Sequence, residues 1–257
     1  MKLAQRTILI TGGTSGIGLV MAKQLIARGN NVIVTGRDHE KLDEARRTLP
    51  GIHLFQSDAS DPVAIEVLHR DILDRFPALD TIINNAGIMR NLKLGEGREL
   101  LDLTREIEIG LNGPVWMVQQ FLPHLQRQKN ALIVNVSSGL AFVPFPAAPI
   151  YSAAKAALHA YTQCLRAQLA GTNVTVIELA PPGTETRLFR GEFEKEMKRE
   201  KGMDPEVLVH RAMAGIEAGK LEIRPGLSNV LRIASRVAPQ FMFKQMVKLS
   251  HLSPVAA

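Results

Sequence analysis

The chain is short of the residues that would define several protein classes. A single cysteine, Cys164, stands among 257 residues, so neither an internal disulfide nor a cysteine-ligated zinc site can form. No metal is expected, and a reducing compartment, the cytoplasm, is the expected location. Cys164 falls in a helical apolar pattern and reads as a small core residue. No apolar run reaches the ~18 residues of a membrane span. The opening MKLAQRTILITGG enters a strand pattern without the cleavage site of a secretion signal. One Trp and two Tyr leave little to stack on bases. The formal charge is +6 without a long Lys/Arg block, so an anionic small molecule explains the excess as well as nucleic acid does.

What the chain has is alternation. Short β-branched runs occur at 6–12, 30–36, 52–58, 80–87, 131–138 and 173–182, with a seventh at 221–226. Helical patterns lie between them, including 18–28, 39–49, 62–76, 99–127 and 151–169. Near-continuous apolar strands separated by helices predict a parallel sheet covered on both faces. Right-handed crossovers then give one doubly wound α/β domain of Rossmann type over residues 1–257, with seven parallel strands. Two segments break the pattern. The charged stretch 191–202 reads as a solvated helix, with 186–203 either a lid over a pocket or an ordinary exposed segment. The basic, partly apolar tail, 227–257, is broken by Pro239 and suits a subunit interface or, less readily, a membrane surface.

TGGTSGIG, Thr11 to Gly18, joins the first strand to the first helix. Gly12 permits a tight turn, Gly16 lets backbone approach a diphosphate, and Gly18 allows close packing of helix on strand. Thr14, Ser15 and Ile17 complete the loop, whose N–H groups and positive helix end face the anion. The second strand ends in Gly36 and Arg37, where folds that bind a free ribose 2′-hydroxyl place an acid. A glycine leaves room and an arginine supplies a forked cation, which favours NADP(H) over NAD(H). Asp38 follows and suits a helix cap, or else the ribose. Asp58, followed by Ala59, is an acceptor for an adenine amino group or an exposed turn residue. Asn85, Ala86 and Gly87 of NNAG suit backbone close to a cofactor ribose.

Tyr151 and Lys155 stand four residues apart in an alanine-rich helix. On a helix this spacing puts both on one face, and a nearby ammonium lowers a phenol's pKa. Alone, such a pair is more often an exposed Tyr beside a snorkelling Lys, and it gains meaning only from a site built around it.

TGGTSGIG, NNAG, NVSS and YSAAK, in that order, resemble the short-chain dehydrogenase/reductase family, from Thr7 to about Leu188. The stretches VTGRDHEKLDEA, APPGTETRL and PGLSNVLR are similar to a branch that includes an oxidoreductase named for teichoic-acid D-alanylation. The resemblance implies that Ser138, 13 residues before Tyr151, hydrogen-bonds a substrate carbonyl, with Ser137 the alternative. It implies that Tyr151 is the proton donor and that Lys155 binds the nicotinamide ribose and helps depress the tyrosine pKa. Asn112 would kink the long helix and hold a water for the lysine. Pro181, Thr184 and Thr186 would contact the cofactor, although Pro182 and Thr184 depart from the family's PGxVxT pattern. The activity implied is NADPH-dependent reduction of a carbonyl, reversible as alcohol oxidation, in a homodimer or homotetramer; Trp116 belongs to the subunit seam or the core. A non-catalytic NADP(H)-binding sensor is the alternative. The pocket is expected near 89–94, 139–148 and 186–203, and its apolar stretch GLAFVPFPAA points to a small hydrophobic substrate.

Overall fold

The computed structural model describes residues 2–251. Strands β1 (Thr7–Ile10), β2 (Asn31–Gly36), β3 (His53–Gln56), β4 (Leu79–Asn84), β5 (Ala131–Val136), β6 (Val174–Leu179) and β7 (Glu222–Ile223) form one sheet. Their order is β3-β2-β1-β4-β5-β6-β7, and every pairing is parallel. The strands are apolar on both faces because helices cover both. Ile8, Ile10, Val32 and Val34 point to one core with Met21, Leu25, Val209 and Met213. Leu9, Ile33, Ile82 and Ile133 point to the other with Ile65, Ile72, Met117, Phe121 and Leu165. Trp116 is half-buried at the edge of this second core.

The main helices are α1 (Gly16–Ile26), α2 (His39–Thr48), α3 (Pro62–Arg75), α4 (Gly113–Leu125), α5 (Pro149–Gln168), α6 (Pro205–Glu217), α7 (Leu227–Val237) and α8 (Pro239–Leu249). Strand order reverses direction between β1 and β4, and in such sheets ligands bind in the crevice outside the carboxyl ends of the strands.

Three expectations need correction. The helix over 99–127 is interrupted: single turns at Leu100–Leu103 and Arg105–Ile107 lead into a π-helical stretch, Glu108–Asn112, before α4 begins. Pro114 has no N–H to give Gly110, and the Gly113 N–H reaches back to the Glu108 carbonyl instead. Residues 191–202 form turns rather than a solvated helix, because Phe193 and Met197 are buried in a third apolar cluster. Cys164 is exposed on α5, so the small apolar pattern around it extends past the buried face. The tail does break at Pro239: α7 ends at Val237, Ala238 leaves helical backbone, and Pro239 opens α8, where its missing N–H costs no bond. The last residues of the tail, 252–257, lie outside the described residues.

Gly18 is where α1 meets the sheet most closely. A Cβ there would lie 2.5 Å from the Gly12 carbonyl oxygen and 2.5 Å from Asn85 Nδ2. Gly18→Ala should therefore destabilise the protein by about 1–3 kcal/mol in chemical denaturation; an unchanged midpoint would show that the helix does not need this approach.

Candidate active site

The crevice is built first by the glycine loop. Gly12 and Gly16 adopt left-handed backbone, with φ of 63° and 54°, which a Cβ disfavours. Asn85 ties the loop to the end of β4: its Nδ2 donates to the carbonyls of Thr11 and Gly12 at 3.0 and 3.1 Å. Thr11 Oγ1 accepts in return from the N–H groups of Asn85 and Ala86 at 3.0 and 3.1 Å. Ser15 gives α1 no side-chain cap, and the first turn has no acid. A helix end of this kind leaves its N–H groups for an anion. The donor set fits a diphosphate.

Gly36 has a different reason from the one expected. A Cβ on it would meet Thr14 Cγ2 at 2.7 Å, so the glycine makes room for the loop's own threonine. Arg37 is exposed at the same strand end. Asp38 caps α2, accepting from the N–H groups of Glu40 and Lys41 at 3.0 and 3.4 Å. Asp58 is engaged by the Ser60 N–H and hydroxyl at 2.9 and 2.6 Å and by Arg105 at 3.1 Å. Burial raises the Asp58 pKa, but the bonds from Ser60 and the charges of Arg105 and Arg37 outweigh it and leave the carboxyl low.

The opposite wall comes from the ends of β5 and α5. Ser138 caps a short turn, its Oγ accepting from the Leu140 N–H at 3.1 Å. Ser137 turns the other way and donates to Glu178 at 2.5 Å. Glu178, buried in β6, also takes His159 Nδ1 at 2.7 Å. Of the two serines, only Ser138 keeps its hydroxyl near Tyr151. Tyr151 and Lys155 share one face of α5, as their spacing requires, with Nζ 5.7 Å from the ring centroid. Lys155 is buried, and its ammonium donates to the Val136 carbonyl at the end of β5, 2.8 Å away.

The electrostatics depart from expectation. Burial pushes the Tyr151 phenol up to about 12, against a hydrogen bond with Ser138 that pulls it down. Burial also brings the Lys155 ammonium down to about 8. The expected depression of the phenol is absent from the protein's own side chains. Desolvation of both groups exceeds the effect of an ammonium that is itself half-inclined to lose its proton at mildly alkaline pH.

These parts surround one cavity of about 670 Å³. Gly12, Thr14, Ser15, Gly16, Ile17, Arg37, Asp58, Ala59, Asn85, Ala86, Gly87, Ser138, Tyr151, Lys155, Pro181, Thr184 and Thr186 all line it. Gly18 and Asn112 do not. Gly18 is packed behind the loop, and Asn112 spends its Nδ2 on Glu108 at 2.7 Å. Thr184 is turned inward, donating to the Pro182 carbonyl at 2.9 Å, and Thr186 stands across the crevice from Gly16.

The far end of the cavity is apolar. Met89, Leu140, Leu188, Phe189 and Met197 contribute, with Leu227, Leu231, Met246 and Leu249 from α7 and α8. Most of the stretch 139–148 instead packs behind the wall, with Val143, Phe145 and Ala148 buried. The segment 183–203 is a loop closed at its stem. Thr184 pairs with Met203, and Glu185 holds Arg190 at 2.6 Å and the Gly202 N–H at 2.7 Å. Asn91 tethers its tip through Glu192 and Glu196 at 2.8 and 3.0 Å.

Lys41, Arg105, His159, Glu178 and the walls from α7 and α8 were not anticipated. His159 carried a signal, since it follows Lys155 by four residues on the same helical face. The others meet the site only through long-range packing.

The chain matches the family model for short chain dehydrogenase over residues 6–197. It therefore belongs to the short-chain dehydrogenase family. Within it, the chain is 41% identical over 247 residues to the uncharacterized oxidoreductase DltE of Bacillus subtilis (strain 168), a match covering 96% of this chain and 98% of that protein. This places it in the branch that the sequence resembled. Two solved structures share the fold. A short chain dehydrogenase from Burkholderia cenocepacia J2315 in complex with NADP has a TM-score of 0.82 at 23% identity, covering 99% of this chain and 100% of that one. A short chain dehydrogenase/reductase from Burkholderia phymatum in complex with NAD has a TM-score of 0.80 at 20% identity, covering 100% of each chain. Among the described residues no group of three or more His, Cys, Asp or Glu could hold a metal, and no helix is long and apolar enough to cross a membrane.

The buried ammonium has a measurable signature. The unfolded chain keeps Lys155 charged up to its ordinary 10.5, whereas the folded chain releases the proton from about 8. The folded state is thus penalised in full below about 8 and relieved as pH rises towards 10.5. Relative to Lys155→Met, wild type should gain up to about 3 kcal/mol of stability across that window. A flat difference in chemical denaturation would remove the buried-ammonium assignment.

Proposed function

We propose that the chain is an NADP(H)-dependent carbonyl reductase, reversible as an alcohol dehydrogenase, acting on a hydrophobic substrate. The observation that carries this reading is the meeting of Ser138, Tyr151 and Lys155 on one wall of a cavity whose opposite wall is the glycine loop. The backbone of Gly12 to Gly18 would hold the diphosphate. Arg37, at the end beyond β2, would take the 2′-phosphate, with Asp58 and Ala59 at the adenine. Ala86, Gly87 and Lys155 would hold the nicotinamide ribose, with Pro181, Thr184 and Thr186 near the carboxamide. Bound NADPH supplies the hydride.

The protein's own residues handle the oxygen. Ser138 Oγ donates a hydrogen bond to the substrate carbonyl and orients it. Tyr151 gives that oxygen its proton. A phenol held near 12 is protonated in neutral water, so the donor form that reduction needs is the populated one. Alcohol oxidation needs the phenolate, which the Lys155 ammonium together with the positive charge an oxidised nicotinamide would bring to the site would favour. Lys155 is oriented by Val136, and the π-helical break before α4 places Asn112 and Glu108 beside α5 as a polar pair. The apolar residues at the far end exclude water from the reacting oxygen and select a hydrophobic substrate.

Preference for the 2′-phosphate rests on charge. Asp38 borders the cavity beside Arg37 and Lys41, but one of its oxygens caps α2 and the other stands 3.8 Å from Lys41, which leaves Arg37 as the cation facing the ribose end. A free 2′-hydroxyl would leave Arg37 without the dianion it suits.

Two substitutions test the reading. Tyr151→Phe should retain NADPH affinity and lose about 10²–10⁴ in turnover on a panel of hydrophobic ketones and aldehydes; turnover near wild type would refute the proton-donor role. Arg37→Ala should weaken NADPH binding by roughly tenfold or more and NADH binding little, as measured by fluorescence titration. Equal losses for both nucleotides would refute the 2′-phosphate contact.

A further inference from the structure

The helix pair α7–α8 is built inside out. On α7, Leu227, Val230, Ile233 and Val237 are 54% to 81% exposed and fall on one side of the helix. The opposite side, turned towards the protein, carries Ser228, Arg232 and Ser235 beside Leu231. Ser228 is fully buried, and Ser228 Oγ and Arg232 Nε are buried without hydrogen-bond partners. Arg232 instead lies over the Phe142 ring, 5.3 Å from its centroid. A helix stabilised only by its own protein would be turned the other way, apolar side inward.

Helix α8 continues the same surface. Met242, Met246 and Leu249 face the protein, while Phe241 and Phe243 are 60% and 42% exposed. Between these rings lie the exposed Lys244 and Lys248, and Arg236 is exposed on α7. Residues 227–251 contain four Lys and Arg and no Asp or Glu. The outer surface is therefore contiguous, apolar and cationic at once. Single exposed apolar residues need no explanation, but a contiguous patch of this kind marks a contact.

Charge decides which contact. A second copy of the chain, placed on this surface about a two-fold axis, would bring Arg236, Lys244 and Lys248 of each copy onto the same cationic surface of the other, which carries no acid to neutralise them. An anionic lipid surface satisfies both characters. Apolar side chains enter the acyl boundary and the cations meet the headgroups. We propose that the outer face of α7–α8 docks on an anionic lipid bilayer. The inner faces of the same helices wall the cavity through Leu231, Met246 and Leu249, and Leu227 both borders the cavity and is 56% exposed. Leu227 thus joins the lining of the cavity to the surface that would meet the bilayer. On the oxidoreductase reading above, the cavity's substrate is a carbonyl or alcohol dissolved in the membrane, taken up without passing through bulk water.

The test is co-sedimentation of the full chain with phosphatidylcholine vesicles and with mixed phosphatidylcholine–phosphatidylglycerol vesicles. Binding is expected to the mixed vesicles, weakening with added salt. Lys244→Glu combined with Lys248→Glu should lower partitioning by at least about tenfold, and Val237→Ser combined with Phe241→Ser should lower it similarly. None of these side chains lines the cavity, so melting temperature and NADPH oxidation with a water-soluble short ketone should be unchanged. Equal binding of wild type and variants, or equal binding to neutral and mixed vesicles, overturns the docking surface. So does a concentration-dependent dimer in sedimentation velocity that the variants dissolve. Vesicle binding without turnover of any carbonyl would support docking while removing the oxidoreductase reading; turnover without vesicle binding would do the reverse.

Discussion

The bond from the Lys155 ammonium to the Val136 carbonyl joins the helix that carries Tyr151 and Lys155 to the strand that ends beneath it. A cation 4% exposed, with one backbone oxygen 2.8 Å away, is an expensive way to fasten a helix to a sheet, since an apolar residue would do so without desolvating a charge. What the arrangement secures is orientation. With Nζ fixed at the end of β5, the preceding turn of α5 must aim Tyr151 into the crevice, and Ser138, two residues beyond Val136, is brought to the same wall. The neighbouring Ser137 is withdrawn by Glu178 and His159, which fix the strand end from its other side. The glycine loop opposite is held with comparable economy by the side chain of Asn85. Both walls are thus set by a few polar contacts at strand ends, over a sheet whose two apolar cores carry the stability.

The legible features were those written locally. Strands whose residues are apolar on both faces, a glycine turn between a strand and a helix, and a Tyr–Lys pair one helical turn apart depend on neighbours in sequence, and the structure places them as their patterns require. Features set by distant packing were not legible. Charged residues dominate 191–202, yet Phe193 and Met197 decide its shape because they bury against residues far along the chain. Gly36 suggested space for a ligand, whereas the space is filled by Thr14. The phenol's environment was misjudged for a related reason: sequence shows the neighbouring cation and conceals the burial that outweighs it. The break before α4 lay in plain view as Gly113–Pro114, but only the backbone shows that the missing N–H produces a π-helical register.

The two ends of the cavity differ in kind. One is lined by backbone donors and fixed cations, and the residues there are anchored to the sheet. The other is lined by methionine, leucine and phenylalanine drawn from late segments of the chain, including helices whose outward surface is itself apolar. Methionine-rich walls adapt to irregular shapes because the side chain is unbranched and flexible. The polar end is therefore suited to a ligand of invariant form and the apolar end to ligands of variable outline.

The closed stem of the 183–203 loop separates these demands within a single connection. Its base is cross-tied by the Thr184–Met203 pairing and by Glu185, directly after β6, so the backbone leaving the sheet is held whatever happens further out. Residues between the ties are fixed at a few points, Phe193 and Met197 in the third apolar cluster and Glu192 and Glu196 on Asn91. The exposed charged positions 194, 195, 198 and 199 can be exchanged without reaching the strand ends. Such a module lets related chains redraw the charged rim of the loop while its stem and its buried anchors stay as they are.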